Sequence, residues 1–142
     1  MIKISQLGIR MDGGNKMRSC VVFGHRDVDY RGYKEKIREI LIKLIEVYHV
    51  EQFYIGGRGD FDGICARILK TLKANYPHIK TTLVFSYIPT KGFCLSESYD
   101  DSIYLLEKRV PPRLAILKTN ELIILRSDYI LSGVKYSQSR PN

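Results

Sequence analysis

Cysteine is scarce in this chain, and what there is has no pattern. Cys20, Cys65 and Cys94 are far apart, with no CxxC pair. Zinc-site spacing is therefore missing, and an odd count argues against a disulfide scaffold. The same scarcity fits a reducing compartment, and a cytoplasmic location is expected. No apolar run approaches the length of a membrane span. MIKISQLGIR at the start has no continuous apolar h-region, so no signal peptide is expected and no membrane partner. Repeats and low-complexity tracts are absent as well.

The balance of charge is what stands out. Over 142 residues the formal net charge is +8, with a pI near 9.4. Such an excess suits an anionic partner, whether a nucleotide, a nucleic acid or an acidic surface. The length suits a single domain with a sizeable core.

Residues 1 to 16 are expected to form an unstructured leader, and residues 17 to 142 the domain. Gly13-Gly14 shortly before Met17 is what a ribosome-binding sequence would encode if translated, which suggests Met17 as the native start. From there the pattern becomes regular. Ser19 to Gly24 is a short apolar run ending in glycine, as expected of a buried strand. Ile37, Ile40, Leu41, Leu44, Ile45 and Tyr48 form one stripe of an amphipathic helix. Gln52 to Ile55 is a second strand. Phe61, Ile64, Cys65, Ile68, Leu69 and Leu72 repeat the helical stripe, which Pro77 stops. Thr81 to Tyr87 is a β-rich third strand. Residues 88 to 110 are expected to be loop. Pro111-Pro112 opens a helix over about 113 to 126, and Tyr129 to Leu131 with Val134 is a fourth strand. Helical crossovers between strands imply a mainly parallel α/β sheet.

In such sheets ligands gather at the carboxyl ends of the strands. Two of these ends begin with glycine and then carry an arginine: Gly24-His25-Arg26-Asp27, and Gly56-Gly57-Arg58-Gly59-Asp60. Glycine lets a ligand approach the main chain, and the following helix offers free N–H groups and partial positive charge. Together they suggest a cradle for a phosphate-bearing ligand. The glycine stretch is neither a P-loop, since it lacks the lysine and Ser/Thr, nor a GxGxxG fingerprint. Asp27-x-Asp29 and Asp60-x-Asp62 permit a Mg²⁺ reading, whereas Asp60 or Asp62 as a helix cap is the simpler account. No other cofactor is indicated. His25 suits a hydrogen-bonding pocket residue. Asn120, on an otherwise apolar helix face with Arg113, Leu117 and Ile124, needs a polar partner.

FGHRD, YIGGRGDFD and PPRLAILKTNELIILRSDYIL, in that order over about residues 19 to 134, resemble the SLOG superfamily, and within it the YpsA-like branch of small bacterial proteins common in Firmicutes. The resemblance implies a Rossmann-like three-layer sandwich that binds or senses a nucleotide or nucleotide-derived ligand. It implies a pocket of Gly24, His25, Arg26, Gly56, Gly57, Gly59, Asp60 and Asp62, with Arg113 and Asn120 as matching positions of the last helix. Related functions are N-glycosidic hydrolysis of nucleoside monophosphates, as in LOG enzymes, and nucleic-acid binding, as in DprA-like proteins. LOG enzymes carry PGGxGTxxE with a catalytic glutamate. Aligned on Gly56-Gly57-Arg58-Gly59, that position is Gly63, which favours a binder; Asp62 or Asp60 would serve if the protein were an enzyme. Relatives continue past the last strand into a glycine-rich loop where this chain has SGVKYSQSRPN, so a truncated C-terminal part is expected. Weak nonspecific nucleic-acid binding and homo-oligomer formation remain open alternatives.

Overall fold

The computed structural model describes residues 2–7, 17–24 and 29–133. Six strands form one sheet in the order β1-β6-β2-β3-β4-β5. They are β1 (Ile2–Gln6), β2 (Arg18–Gly24), β3 (Val50–Ile55), β4 (Lys80–Phe85), β5 (Asp101–Tyr104) and β6 (Tyr129–Gly133). Three helices connect them: α1 (Lys34–Glu46), α2 (Asp60–Leu72) and α3 (Pro112–Leu125). All neighbours in the sheet are parallel except β1, which runs antiparallel to β6. This is the expected α/β class, a Rossmann-like three-layer sandwich.

Period 2 along the strands divides the core into two layers. On β2, Cys20 and Val22 join the larger cluster with Ile37, Leu41 and Leu44 of α1 and Phe61, Cys65 and Leu69 of α2. Val21, between them, faces the other way and packs with Val84 and Ile123 of α3. Helices α1 and α2 thus cover one face of the sheet and α3 the other. The amphipathic stripes expected from sequence lie inward: Ile37, Leu41, Leu44 and Ile45 on α1 are buried, as are Phe61, Ile64, Cys65, Leu69 and Leu72 on α2. Burying each such side chain is worth about 1.5–3 kcal/mol.

Two strands lie where none was expected. Residues 2–6 fall inside the expected leader, yet they pair with β6 in register from Ile2↔Gly133 to Gln6↔Tyr129. Ile2 and Ile4 alternate with Lys3 and Ser5 and pack against the larger core, a half-buried edge strand too short to show a periodic signal. Residues 101–104 fall inside the expected loop, yet they pair with β4 as the opposite edge. Asp101, Ser102 and Tyr104 are exposed, so no apolar run marked the strand. Val134, expected in the last strand, lies outside the described residues.

The chain runs outward from β2 through β3 and β4 to β5, then returns through α3 to place β6 on the other side of β2. Strand order therefore reverses at β2, the switch point at which open α/β sheets form a crevice.

Candidate functional site

A cleft of about 300 Å³ opens at that place. It is lined by Gly24 at the end of β2, Gly56, Arg58 and Gly59 after β3, Asp62 of α2, and Asn120 of α3. Five of these are glycine-turn or helix-start residues that the sequence marks as site candidates, brought together from two strand ends; Asn120 reaches them from the opposite layer.

Arg58 is the organising side chain. Its Nη1 donates to Ser86 Oγ at 2.9 Å and its Nη2 to Asn120 Oδ1 at 3.2 Å. Two neutral oxygens, one at the end of β4 and one on α3, thus fix the plane of the guanidinium. Asn120 has found the partner that its place on an apolar face demands. Ser86 is buried and was not among the expected site residues, because a lone serine ending an apolar strand carries no signal of its own.

Asp62 is the buried acid of the site. Only 7 % of it is exposed. Its Oδ2 accepts the Arg58 backbone N–H at 3.0 Å, so a residue in the first turn of α2 ties back the loop before it. The helix N-cap itself is Gly59, in ordinary extended conformation, and no side chain caps it. Among the described residues Asp62 Oδ1 has no partner in good hydrogen-bond geometry, although the Gly57 N–H pulls on the carboxylate. An unmet buried acceptor of this kind costs about 1–3 kcal/mol.

Burial pushes the Asp62 carboxyl above the usual range, against the opposing pull of the Arg58 N–H, the Arg58 charge and the Gly57 N–H. The folded-state pKa thus lies above the unfolded one. The resulting stabilisation is complete below the unfolded pKa and is lost as pH rises through the folded value. Asp62→Asn is therefore expected to flatten the fall of stability with pH. Urea unfolding between about pH 4 and pH 7 checks this; a variant with the parent's pH slope would show that Asp62 does not titrate in this way.

The other expected residues fall in different places. Asp60 opens α2 but is exposed and outside the cleft, where its charge acts on Arg31. Arg113 is exposed at the start of α3 and does not line the cleft. Gly57 does not line it either. Its φ is +69°, and a Cβ there would sit 2.7 Å from Leu83 Cδ1, so glycine is needed for the turn and for core packing. Gly24 lines the cleft, but a Cβ on it would lie 2.3 Å from Phe61 Cβ; its small size also lets α2 lie close on β2. A side chain at Gly63 would meet the Arg67 guanidinium at 3.2 Å, and Gly63 is not part of the cleft lining. His25, Arg26 and Asp27 lie outside the described residues.

Asp29, the remaining member of the D-x-D pairs, binds the Arg31 guanidinium at 3.0 and 2.9 Å, which holds its carboxyl down at about 2. Among the described residues no group of three His, Cys, Asp or Glu side chains converges as a metal-ligand set. Cys20 and Cys65 are buried, and burial pushes both thiols up, away from the reactive thiolate. Behind Asp62, burial together with the Asp62 charge pushes the Tyr99 hydroxyl up to about 12.

Away from the cleft, a shallow groove of about 260 Å³ between α1 and α2 carries Lys34, Arg38 and Arg67 beside a single acid, Glu35. Among the described residues no helix is long and apolar enough to cross a membrane.

No family model matches this chain, and no curated protein matches it significantly.

Proposed function

We propose that the cleft at the β2/β3 strand ends binds a nucleotide or nucleotide-derived small ligand, in a protein of the SLOG type, YpsA-like branch. The observation that carries this reading is the placement of Arg58: its guanidinium is oriented by Ser86 and Asn120 above two glycine turns at the switch point of the sheet. A planar fork held in this way suits the oxygens of a phosphate. A side chain on Gly56 would press on this fork, 3.1 Å from Arg58 Nη2. Asp62, buried and partly unmet, offers an acceptor to a hydroxyl or amine donor of the same ligand, once that donor reaches it.

The test is a thermal-shift screen against nucleoside monophosphates, cyclic nucleotides and dinucleotides. A ligand that binds only the folded state raises the melting temperature by mass action. At least one member is expected to do so in the parent; a screen in which none does would refute the reading.

A second reading is favoured by Asp62 alone. A buried carboxyl with a raised pKa at a cleft is the usual form of a general acid, and it would suit a LOG-like N-glycosidic hydrolase. In the alignment with that family, however, the glutamate position is Gly63, whose Cβ direction leads toward Arg67. The protein is therefore expected to release no free base from nucleoside monophosphates. Chromatography that detects base release, abolished by Asp62→Asn, would reverse the choice in favour of the enzyme.

A further inference from the structure

A larger cleft, of about 480 Å³, lies past the carboxyl ends of β4 and β5 at the edge of the sheet. Tyr87, Ile88, Tyr104, Lys108, Arg109 and Pro112 are among its lining residues. Its apolar surface is unusually open: Ile88 is 73 % exposed, Tyr87 50 % and Tyr104 39 %. Exposed rings of this size, gathered in one concavity, suit a flat apolar partner. Tyr87 is also held in place, because its hydroxyl donates to the Pro112 carbonyl at 2.9 Å.

The charge in this cleft is equally specific. Lys108 and Arg109 are exposed, and neither makes a hydrogen bond or ion pair with the described residues. Glu107 lines the same cleft. Two cations against one carboxylate leave room for one anionic group and disfavour a polyphosphate. The cleft is distinct from the Arg58 cleft. Ser86 lines this one and its hydroxyl accepts Arg58 Nη1, so the Arg58–Ser86 bond stands between the two. On α3, Ala115 faces one cleft and its neighbour Ile116 the other.

We infer that this edge cleft is a second ligand site, for a small molecule made of a flat aromatic ring bearing a single acidic group. The ring lies against Tyr87 and Tyr104, and the acid meets Lys108 and Arg109. Stacking on an aromatic face and charge-assisted hydrogen bonds supply the affinity. The inference stands whether or not the Arg58 cleft binds a nucleotide.

Phenyl phosphate, phenol and inorganic phosphate separate ring from charge. Each is titrated into ¹⁵N-labelled full-length protein while amide shifts are followed. Phenyl phosphate is expected to shift the amides of Tyr87, Ile88 and 104–109, and to half-saturate at a concentration at least about tenfold below that of phenol or phosphate. The exposed double substitution Lys108→Ala/Arg109→Ala should raise its half-saturation to that of phenol, and Tyr104→Ala should weaken it about threefold or more. Asn120→Ala, in the other cleft, should leave it unchanged. Equal half-saturation by phenyl phosphate and phenol would overturn the inference. So would an absence of shifts up to about 10 mM, or shifts confined to the Arg58 cleft and lost in Asn120→Ala.

Discussion

Gly57→Val is expected to cost about 2–6 kcal/mol of folding stability, and this loss will come from the turn and its packing rather than from the ligand cleft. Two causes add. The φ of +69° is a conformation that a β-branched side chain adopts only under strain, about 1–3 kcal/mol. The new Cβ then points at Leu83 Cδ1, 2.7 Å away, so the end of the leucine must shift to admit it; overpacking of this kind costs about 1–3 kcal/mol. Equilibrium urea unfolding measures the loss. A variant as stable as the parent would mean that the chain does not take this turn. The positive φ and the direction of the Cβ give Gly57 a role in the fold.

The largest effect on binding is expected from Arg58→Ala, about 1.5–3 kcal/mol, or roughly 10- to 150-fold in affinity for the nucleotide that emerges from the thermal-shift screen. Arg58 bridges three elements: the loop after β3, the end of β4 and the middle of α3. Its removal also leaves Ser86 and Asn120 without their shared donor. Asn120→Ala should therefore weaken binding in the same direction but by less, since it loosens the guanidinium without deleting its charge. Calorimetric titration of both variants checks the order. Unchanged affinity in Arg58→Ala would remove the phosphate contact on which the functional reading rests.

How much of this could be seen in the sequence depends on how much each segment buries. Segments β2, β3, β4, α1 and α2 carry long apolar patterns because each faces a packed layer, and their type and order were legible. Edge strands bury one side at most. Ile2 and Ile4 are the only apolar marks on β1, and β5 exposes Asp101, Ser102 and Tyr104. Neither produces a pattern that stands out from a loop. For the site, the glycine turn was legible because glycine is costly and needs a reason, and Asp62 through its D-x-D pair and the family resemblance; its burial was not. Asn120 was legible as an unmet polar group, but its partner was not: Arg58 lies 62 residues away and meets it only through the packing of α3 across the sheet. Ser86 gave no sign at all. Arg113 shares a helix face with Asn120, but it lies two turns earlier, exposed at the start of α3, and does not line the cleft. His25 and Arg26, the other sequence candidates, lie outside the described residues.

Three surfaces compete for an anionic partner, the Arg58 cleft, the edge cleft with Lys108 and Arg109, and the basic groove between α1 and α2, and a single titration separates them. Adenosine monophosphate is added to ¹⁵N-labelled protein and the amide shifts are mapped residue by residue. Nucleotide binding in the cleft predicts shifts at Gly24, Gly56, Gly59, Asp62 and Asn120, only mildly sensitive to salt and absent in Arg58→Ala. Shifts confined to Lys34, Arg38 and Arg67 of the groove, or to Tyr87, Tyr104 and Lys108 of the edge cleft, would contradict it.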